Sequence, residues 1–584
     1  MLVQALADFA DLHLSDQLDD AAFETKPVPL ALEISGEGKF LGWIAREQSV
    51  LRGKKMVTQP LPSQVPKSPV NRNSGVHPLL AYDEAKYVFG VGPWTKLNQE
   101  EDHAAKHQAF VQLLSEAAQA TEDEALAACV LFYEQPAEVS KALEALNPNS
   151  ISGILFSVAA LGPAALRPHA RQFWREHYQR KFDQRNLSGG VGMCLVSGKT
   201  GPIAPTHDKI KGTASLGGQP AGVALMSFDK DAFQSYGWEG CSNSPISPDR
   251  AQAYVLALNA LLANRNRHRI DHQGVAYLFW LRYPESEFDA MAMLEEADPQ
   301  QVQRLLTLQQ NSWVGLIPNE FYLLAVSGNG GRLVVKHWCH ETLQTILANV
   351  VDWFQGLSIL DCFTGAIAAP PKMWQLLAVT CRADPPPGRA LAFTRRALFG
   401  EPLGMDLLAA LLARLRVETG TARLNPHRIG LLRLTVNDAL KRIAPGEPIM
   451  DSALNPSELN AAYLCGRLLA MFDSLQYEST NQDVNVTVAD RYYSLASTFP
   501  QLAFPKLEDL GMKHLAKMRR SKTEGKRAAA YAIERRMDEL RLLIGTQFPG
   551  PLSLVDQGRF ALGFHHQRAD NRRRAVEAKE SKKE

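Results

Sequence analysis

Tyr322-Leu-Leu-Ala-Val326, Ser327-Gly-Asn-Gly-Gly331 and Arg332-Leu-Val-Val-Lys-His-Trp338 run directly into Glu341 to Phe354, whose apolar residues recur at helical spacing. Two apolar runs about a Gly-rich turn predict a strand–turn–strand unit, and the change of period after it predicts a helix. Reading back from there, Gly274 to Arg282 is a buried strand. Asp249 to Asn264 is a helix with Ser247 as its N-cap and Pro248 in its first turn. Further back are a short strand at Val223 to Phe228, a helix at Arg171 to Lys181, a strand at Gly153 to Ala159 and helical periodicity from Glu100 to Ala145. Alternation on either side of Ser35-Gly-Glu-Gly38 predicts a β-hairpin within Val28 to Trp43, and residues 2–18 have an amphipathic helical pattern.

Reading forward, no convincing strand follows residue 370. Helices are predicted at Leu403–Arg416, Asn425–Arg442, Pro456–Asp473, Val486–Leu495, Leu507–Arg520, Thr523–Ile544 and Ser553–Arg568, with His565-His566 near the last helix's end. The fold class is therefore α+β. A mixed α/β N-terminal region with a partly antiparallel sheet precedes an all-α C-terminal helical bundle. Expected boundaries are 1–185, 186–370, a helical connector 371–449, a bundle 450–569 and a disordered basic tail 570–584.

A chain of 584 residues with 45% apolar and 8% aromatic residues is globular and too long for one core. With 63 Lys and Arg against 62 Asp and Glu it is no polycation, so a polyanion surface must come from local segregation of charge. No apolar run is long enough to span a bilayer, and Asp8 and Asp11 in an N-terminus without basic residues argue against a signal peptide. Seven scattered cysteines without a Cys-x-x-Cys pair speak against disulfides and structural zinc. A reduced, cytoplasmic protein without metal or cofactor is expected.

Three segments carry binding chemistry. From Arg46 to Asn73, cations including Lys54, Lys55, Lys67 and Arg72 sit on a backbone kept extended by prolines 60, 62, 66 and 69, which suits contact with phosphates. Asn73-Ser74-Gly75 follows; Asn offers both donor and acceptor to a base edge, while Asn-Ser-Gly is also a common turn. The second segment, Cys194 to Ser247, spaces Lys199, Lys209, Lys211, Gln219 and Asn243 among glycines that let backbone approach a ligand. In the third, between Lys513 and Lys583, cations outnumber acids roughly two to one. Lys513, Lys517, Arg519, Arg520, Lys526 and Arg527 recur at spacings that place several on one helical face.

Catalytic signatures are weak. Gly198-Lys199-Thr200 lacks the glycine a phosphate loop needs five residues earlier, where Met193 stands, and the prolines that follow cannot open a helix. Gly-x-Ser-x-Gly does not occur. His207-Asp208 is a candidate acid–base pair without a nucleophile. The alternative to a binding protein is thus a metal-independent nuclease or RNA-processing enzyme using His207 with Lys209 or Lys211.

Several segments together resemble the large subunit of the type I-C CRISPR surveillance complex, Cascade. They are the start at Met1-Leu-Val-Gln-Ala-Leu, then Asn73-Ser-Gly-Val-His with Tyr82-Asp-Glu-Ala-Lys-Tyr87-Val-Phe-Gly90, and Cys194-Leu-Val-Ser-Gly through Ile210-Lys-Gly212. Phe233-Gln-Ser-Tyr236-Gly, Leu324 to Trp338, Asp490-Arg-Tyr-Tyr493-Ser-Leu-Ala-Ser497 and Asp556-Gln-Gly-Arg559-Phe-Ala-Leu-Gly563 follow in order. Gly218-Gln219-Pro220 and Phe564-His565-His566-Gln567 depart from the family's serine-richer loop and tyrosine-richer ending. The resemblance implies a non-catalytic subunit that recognises the protospacer-adjacent motif in double-stranded DNA, promotes R-loop formation and helps recruit a helicase–nuclease. Implied partners are the other Cascade backbone subunits, the crRNA, the target DNA and that effector. It also implies that the C-terminal bundle is made separately as a small subunit, for which Met450 is the candidate start. On this reading Lys54, Lys55, Lys67 and Arg72 hold phosphates, and Asn73, Ser74 and Gly75 lie at base edges. Lys199, Lys209, Lys211, Gln219 and Asn243 meet nucleic acid or a neighbouring subunit. Lys513 to Arg527 track a strand without sequence preference.

Overall fold

The predicted hairpin forms, with Leu30–Ile34 antiparallel to Phe40–Ala45 in a computed structural model that describes residues 2–52, 55–70, 72, 75–92, 99–146, 153–228, 230–233, 235–265, 267–283, 290–308, 319–480 and 485–580. Gly38 sits at its turn with φ +76°, and a Cβ there would stand 2.5 Å from the Phe132 nitrogen, so only glycine fits. Leu30–Ile34 also runs parallel to Ile154–Val158, which pairs antiparallel with Tyr82–Asp83 and with Gly162–Pro163. Ile154, Leu155, Phe156 and Val158 are all buried, as expected of a strand covered on both faces. Helices Gln99–Thr121 and Glu124–Tyr133 bring Phe110 and Phe132 to 6.1 Å from the Phe156 ring.

The proline-rich segment after Arg46 forms a two-stranded ribbon. Glu47–Arg52 pairs antiparallel with Lys55–Pro60, in register from Glu47↔Pro60 to Arg52↔Lys55. The same strand continues to Pro66 and pairs on with Phe23–Val28, from Val28↔Leu61 to Phe23↔Pro66. Each half of this twelve-residue strand has one partner, so each half is an edge where a residue without an N–H is tolerated. That is how three prolines enter a strand.

The chain divides into two compact units, Met1–Arg269 with Val326–Val335 and Ile270–Ala325 with Lys336–Glu584. In the first unit, helix Leu2–His13 packs on helix Pro248–Ala263. Val223 to Phe228 is not a strand. Val223 bridges to Ile210 while the next residue, Ala224, bridges to Arg332, so the segment is pinned between two partners and extends along neither.

Strands Arg269–His272, Val275–Leu281, Glu320–Asn329 and Arg332–Thr342 form a sheet in that order, and helix Leu343–Leu357 follows as predicted. Among the described residues beyond 370 every regular element is a helix. Met373–Thr380 and Arg389–Phe399, absent from the sequence-based reading, are two of them. One apolar core of the second unit extends from Tyr277 to Ala569. At its centre Ala461–Ser479 packs on Leu554–Glu580, where a Cβ on Gly466 would lie 2.0 Å from the Phe560 carbonyl oxygen and one on Gly563 2.1 Å from that of Tyr463. Reciprocal glycines let these two backbones touch.

Buried charge here is compensated. Arg396 donates to Asp438 from Nε and Nη2 at 2.8 and 3.0 Å, and Arg433 donates to the carbonyls of Gln355, Gly356, Ser358 and Met450. Met450 is buried and clamped by Asn437, which accepts from its N–H and donates to its carbonyl.

The segment from Asp570 was expected to be disordered, but the last helix continues to Glu580. Asp570 accepts from Arg573 and Arg574 at 2.9 and 2.7 Å, and Arg573 pairs with Glu577 at 3.2 Å, so the charge run is neutralised within the helix at i,i+3 and i,i+4 spacing. His565 and His566 accordingly stand within this helix, not near its end, and are fully buried.

Candidate nucleic-acid interface

The first candidate segment resolves into two places. Lys55 opens the long strand and Lys67 follows its end, so roughly 40 Å of extended backbone separates them. The outer place is the end of the ribbon, whose last registered pair is Arg52↔Lys55; Lys54 lies outside the described residues. The inner place is a corner built round Asp83. This fully buried carboxylate accepts from Arg72 Nη2 at 2.6 Å, Leu79 N at 3.0 Å and Glu84 N at 2.8 Å. The Arg72 guanidinium also lies 4.5 Å over the Tyr87 ring, and Tyr87 Oη accepts from His77 N at 3.2 Å. Arg72 therefore spends its charge inside the protein, anchoring the chain one residue before Asn73. Asn73 and Ser74 lie outside the described residues. Gly75 is exposed, with φ +80°, and a Cβ on it would meet His77 Nε2 at 2.8 Å. Lys67 is half-buried, its N–H bonded to Ala22 O. The roles of Asp83 and Tyr87 were missed from sequence; the signal was an Asp-Glu pair opening the short helix Ala85–Val88.

In the second segment Val191–Met193 pairs with Thr200–Pro202. Cys194 closes this hairpin: its N–H donates to Lys199 O, and Gly198 N donates to its carbonyl, both at 2.9 Å. Its sulfur accepts from Ser197 N, Ser247 N and Ser247 Oγ at 3.5, 3.3 and 3.4 Å. Burial raises this thiol's pKa, but the hydrogen bonds from Ser197 and Ser247 outweigh burial and bring it down to about 7. Lys199 is exposed at the turn. Lys209 is half-buried, and Lys211 is exposed with Nζ 3.8 Å from Glu24. Gln219 is exposed, its N–H bonded to Gly330 O beside the hairpin tip Val326–Val335. The Asn243 side-chain amide is used internally, donating to the carbonyls of Trp238 and Gly240 at 3.2 Å. His207 Nδ1 is 2.8 Å from Tyr254 Oη, and burial brings its pKa down to about 4, leaving the ring neutral. The imidazole's partner is thus the hydroxyl of Tyr254, a fully buried tyrosine whose pKa burial pushes well up, so the hydroxyl stays protonated.

The third segment also splits. Lys513, Lys517 and Arg520 are exposed along one side of helix Pro500–Arg519 and its C-cap. Arg519 is ion-paired with Glu534 and lies 5.6 Å over the Tyr531 ring. Arg527 donates to Ser521 O at 3.0 Å, and Lys526 is half-buried at the start of helix Glu524–Ile544. Of the six cations, Lys513, Lys517 and Arg520 thus form an outward stripe without an acidic partner among the described residues.

Among the described residues no group of three His, Cys, Asp or Glu is placed to hold a metal ion, and no helix is long and apolar enough to cross a membrane. A family model described as CRISPR-associated protein (Cas_Csd1) matches residues 6–571, nearly the whole chain. A search of the curated proteins found no match.

Proposed function

Because the chain belongs to the Cas_Csd1 family of CRISPR-associated proteins, we propose that it is the large, non-catalytic subunit of a type I-C RNA-guided surveillance complex in the cytoplasm. In this role it reads the protospacer-adjacent motif in double-stranded DNA, promotes strand exchange with the crRNA and helps recruit the helicase–nuclease. The observation that carries the DNA reading is the ribbon of Glu47–Arg52 and Lys55–Pro66, which ends in Arg52 and Lys55. A two-stranded ribbon fits the major groove of B-form DNA, and cations at its end meet phosphates there. The division of labour is physical. Cations at the ribbon's end bind any duplex, whereas Asn73 and Ser74, next in sequence after Arg72, read base edges and carry the preference. Guide pairing then reads the rest. The stripe Lys513, Lys517 and Arg520 holds a strand without sequence preference. Separate synthesis of the C-terminal helices from Met450 belongs to the same reading.

The test is duplex binding by the guide-loaded complex. Lys54→Ala with Lys55→Ala weakens binding to every sequence alike and flattens the log K against log salt slope by about 2, near 0.9 per phosphate contact. Asn73→Ala narrows the gap between cognate and altered motif by about 1–3 kcal/mol with little change in the slope. Binding unchanged in both variants refutes the assignment.

A further inference from the structure

Leu187, Val191, Met193 and Leu195 are apolar and face outward. In the hairpin, the pairs Met193↔Thr200 and Val191↔Pro202 put four side chains on one face, and Gly192↔Gly201 leaves the other bare. A Cβ on Gly192 would stand 3.3 Å from the buried Ile203 side chain, while one on Gly201 would meet nothing within 4 Å, so the bare face touches the protein at Gly192. The other face is left open, with Val191 78% and Met193 59% exposed, flanked by Leu187 at 80% and Leu195 at 52%.

This surface is tied to a second one. Leu195 N donates to Pro245 O at 2.9 Å, and Ser247 donates to the Cys194 sulfur, joining the hairpin to the loop before helix Pro248–Ala263. In that loop Asn243 holds Trp238 and Gly240 by their carbonyls. The tip so held shows Trp238 54% exposed and Tyr236 95% exposed, their ring centroids 6.5 Å apart. Tyr236 has φ +63°, a left-handed conformation that a side-chain-bearing residue adopts at a cost, and it spends that strain presenting an aromatic ring to water. The six side chains together expose on the order of 800 Å², the area one side of a standard protein interface buries.

The charge of the surface selects the partner's class. Leu187 to Leu195 contains no charged residue, Lys199 is the hairpin's one cation, and Trp238 is followed by the exposed acid Glu239. Phosphate backbones need clustered cations, which are missing here. Aromatic, Met and aliphatic side chains with few charges are instead the composition of a protein interface core. We propose that this face docks a different protein subunit of the CRISPR-associated complex through a complementary apolar, weakly charged surface. The inference rests on the family and on this surface, and it stands apart from the DNA reading.

Benzoylphenylalanine in place of Met193, in full-length chain assembled with the complex's other proteins and its guide RNA, tests it. After irradiation and nuclease digestion, the expected product is a covalent adduct with another protein chain. Val191→Glu with Met193→Glu lowers co-purification of that protein at least about tenfold. The melting temperature stays within about 2 °C, since both side chains are exposed. An adduct with RNA or DNA, an adduct with a second copy of this chain, or absence of any adduct with assembly unchanged in the double variant overturns the proposal. Lys54→Ala with Lys55→Ala leaves the adduct intact, so failure of the DNA reading is distinguishable from failure of this one.

Discussion

Arg72 and Asp83 show how one pair changes the meaning of a basic residue. Read as one cation in a row, Arg72 belongs with the lysines that meet phosphate. Bonded to a fully buried carboxylate and stacked on Tyr87, it is part of the fold. Burial raises the Asp83 pKa to about 6 even against Arg72, so Arg72→Ala leaves a buried carboxyl without its partner and lowers stability by about 3 kcal/mol, the low end for a broken buried pair because the arginine keeps some solvent contact. Chemical denaturation of the purified chain measures this; an unchanged midpoint with weakened DNA binding would return Arg72 to the phosphate contacts. His565 and His566 give the second prediction at this scale. Burial holds the His565 pKa down to about 4, and burial with neighbouring His565, Arg433 and Arg467 holds that of His566 well below its ordinary value. The unfolded chain takes up their protons first, so stability falls as pH drops from about 6.5 towards 4. His566→Gln flattens that slope between pH 7 and 5; an identical slope in the variant would show that the acid sensitivity lies elsewhere.

At the scale of elements, the crossing of Ala461–Ser479 with Leu554–Glu580 depends on two glycines. Gly466→Ala or Gly563→Ala sets a methyl about 2 Å from a carbonyl oxygen and forces the helices apart. The expected loss is at least the 1–3 kcal/mol of an overpacked core. Thermal melting checks it, and a variant as stable as the parent would mean that the helices slide without penalty. Apart from Met373–Thr380 and Arg389–Phe399, the longer helices beyond residue 370 were visible in the sequence because apolar residues recur in them at a 3.6-residue period. The ribbon was not, because Pro60, Pro62 and Pro66 argue against a strand unless its two halves pair with different partners. The extension of the last helix was hidden too, since Asp570 and Glu577 neutralise the arginine run only once the chain is helical.

Across the whole molecule a formal charge of +1 conceals a division between used and unused cations. Charge was readable from sequence, but its compensation was not: Glu534 and Glu24 lie 15 and more residues from the cations they meet. The same holds for the candidate site, where Lys199 and Gln219 are exposed as an interface requires while Asn243 is consumed in holding a loop. Lys513→Glu, Lys517→Glu and Arg520→Glu together reverse the outward stripe. They are expected to weaken strand retention by the assembled complex most at low salt, converging with the parent at high salt as screening shortens. A deficit that persists at 1 M salt would mean a structural defect.

The most direct test of the central claim is the salt dependence of duplex binding by the guide-loaded complex, on cognate and altered adjacent motifs, for the parent, Asn73→Ala, and Lys54→Ala with Lys55→Ala. The account predicts that the lysine pair shifts both affinities equally and flattens the slope by about 2, while Asn73→Ala closes the gap between motifs at nearly constant slope. Equal slopes and an equal gap in all three proteins would contradict it.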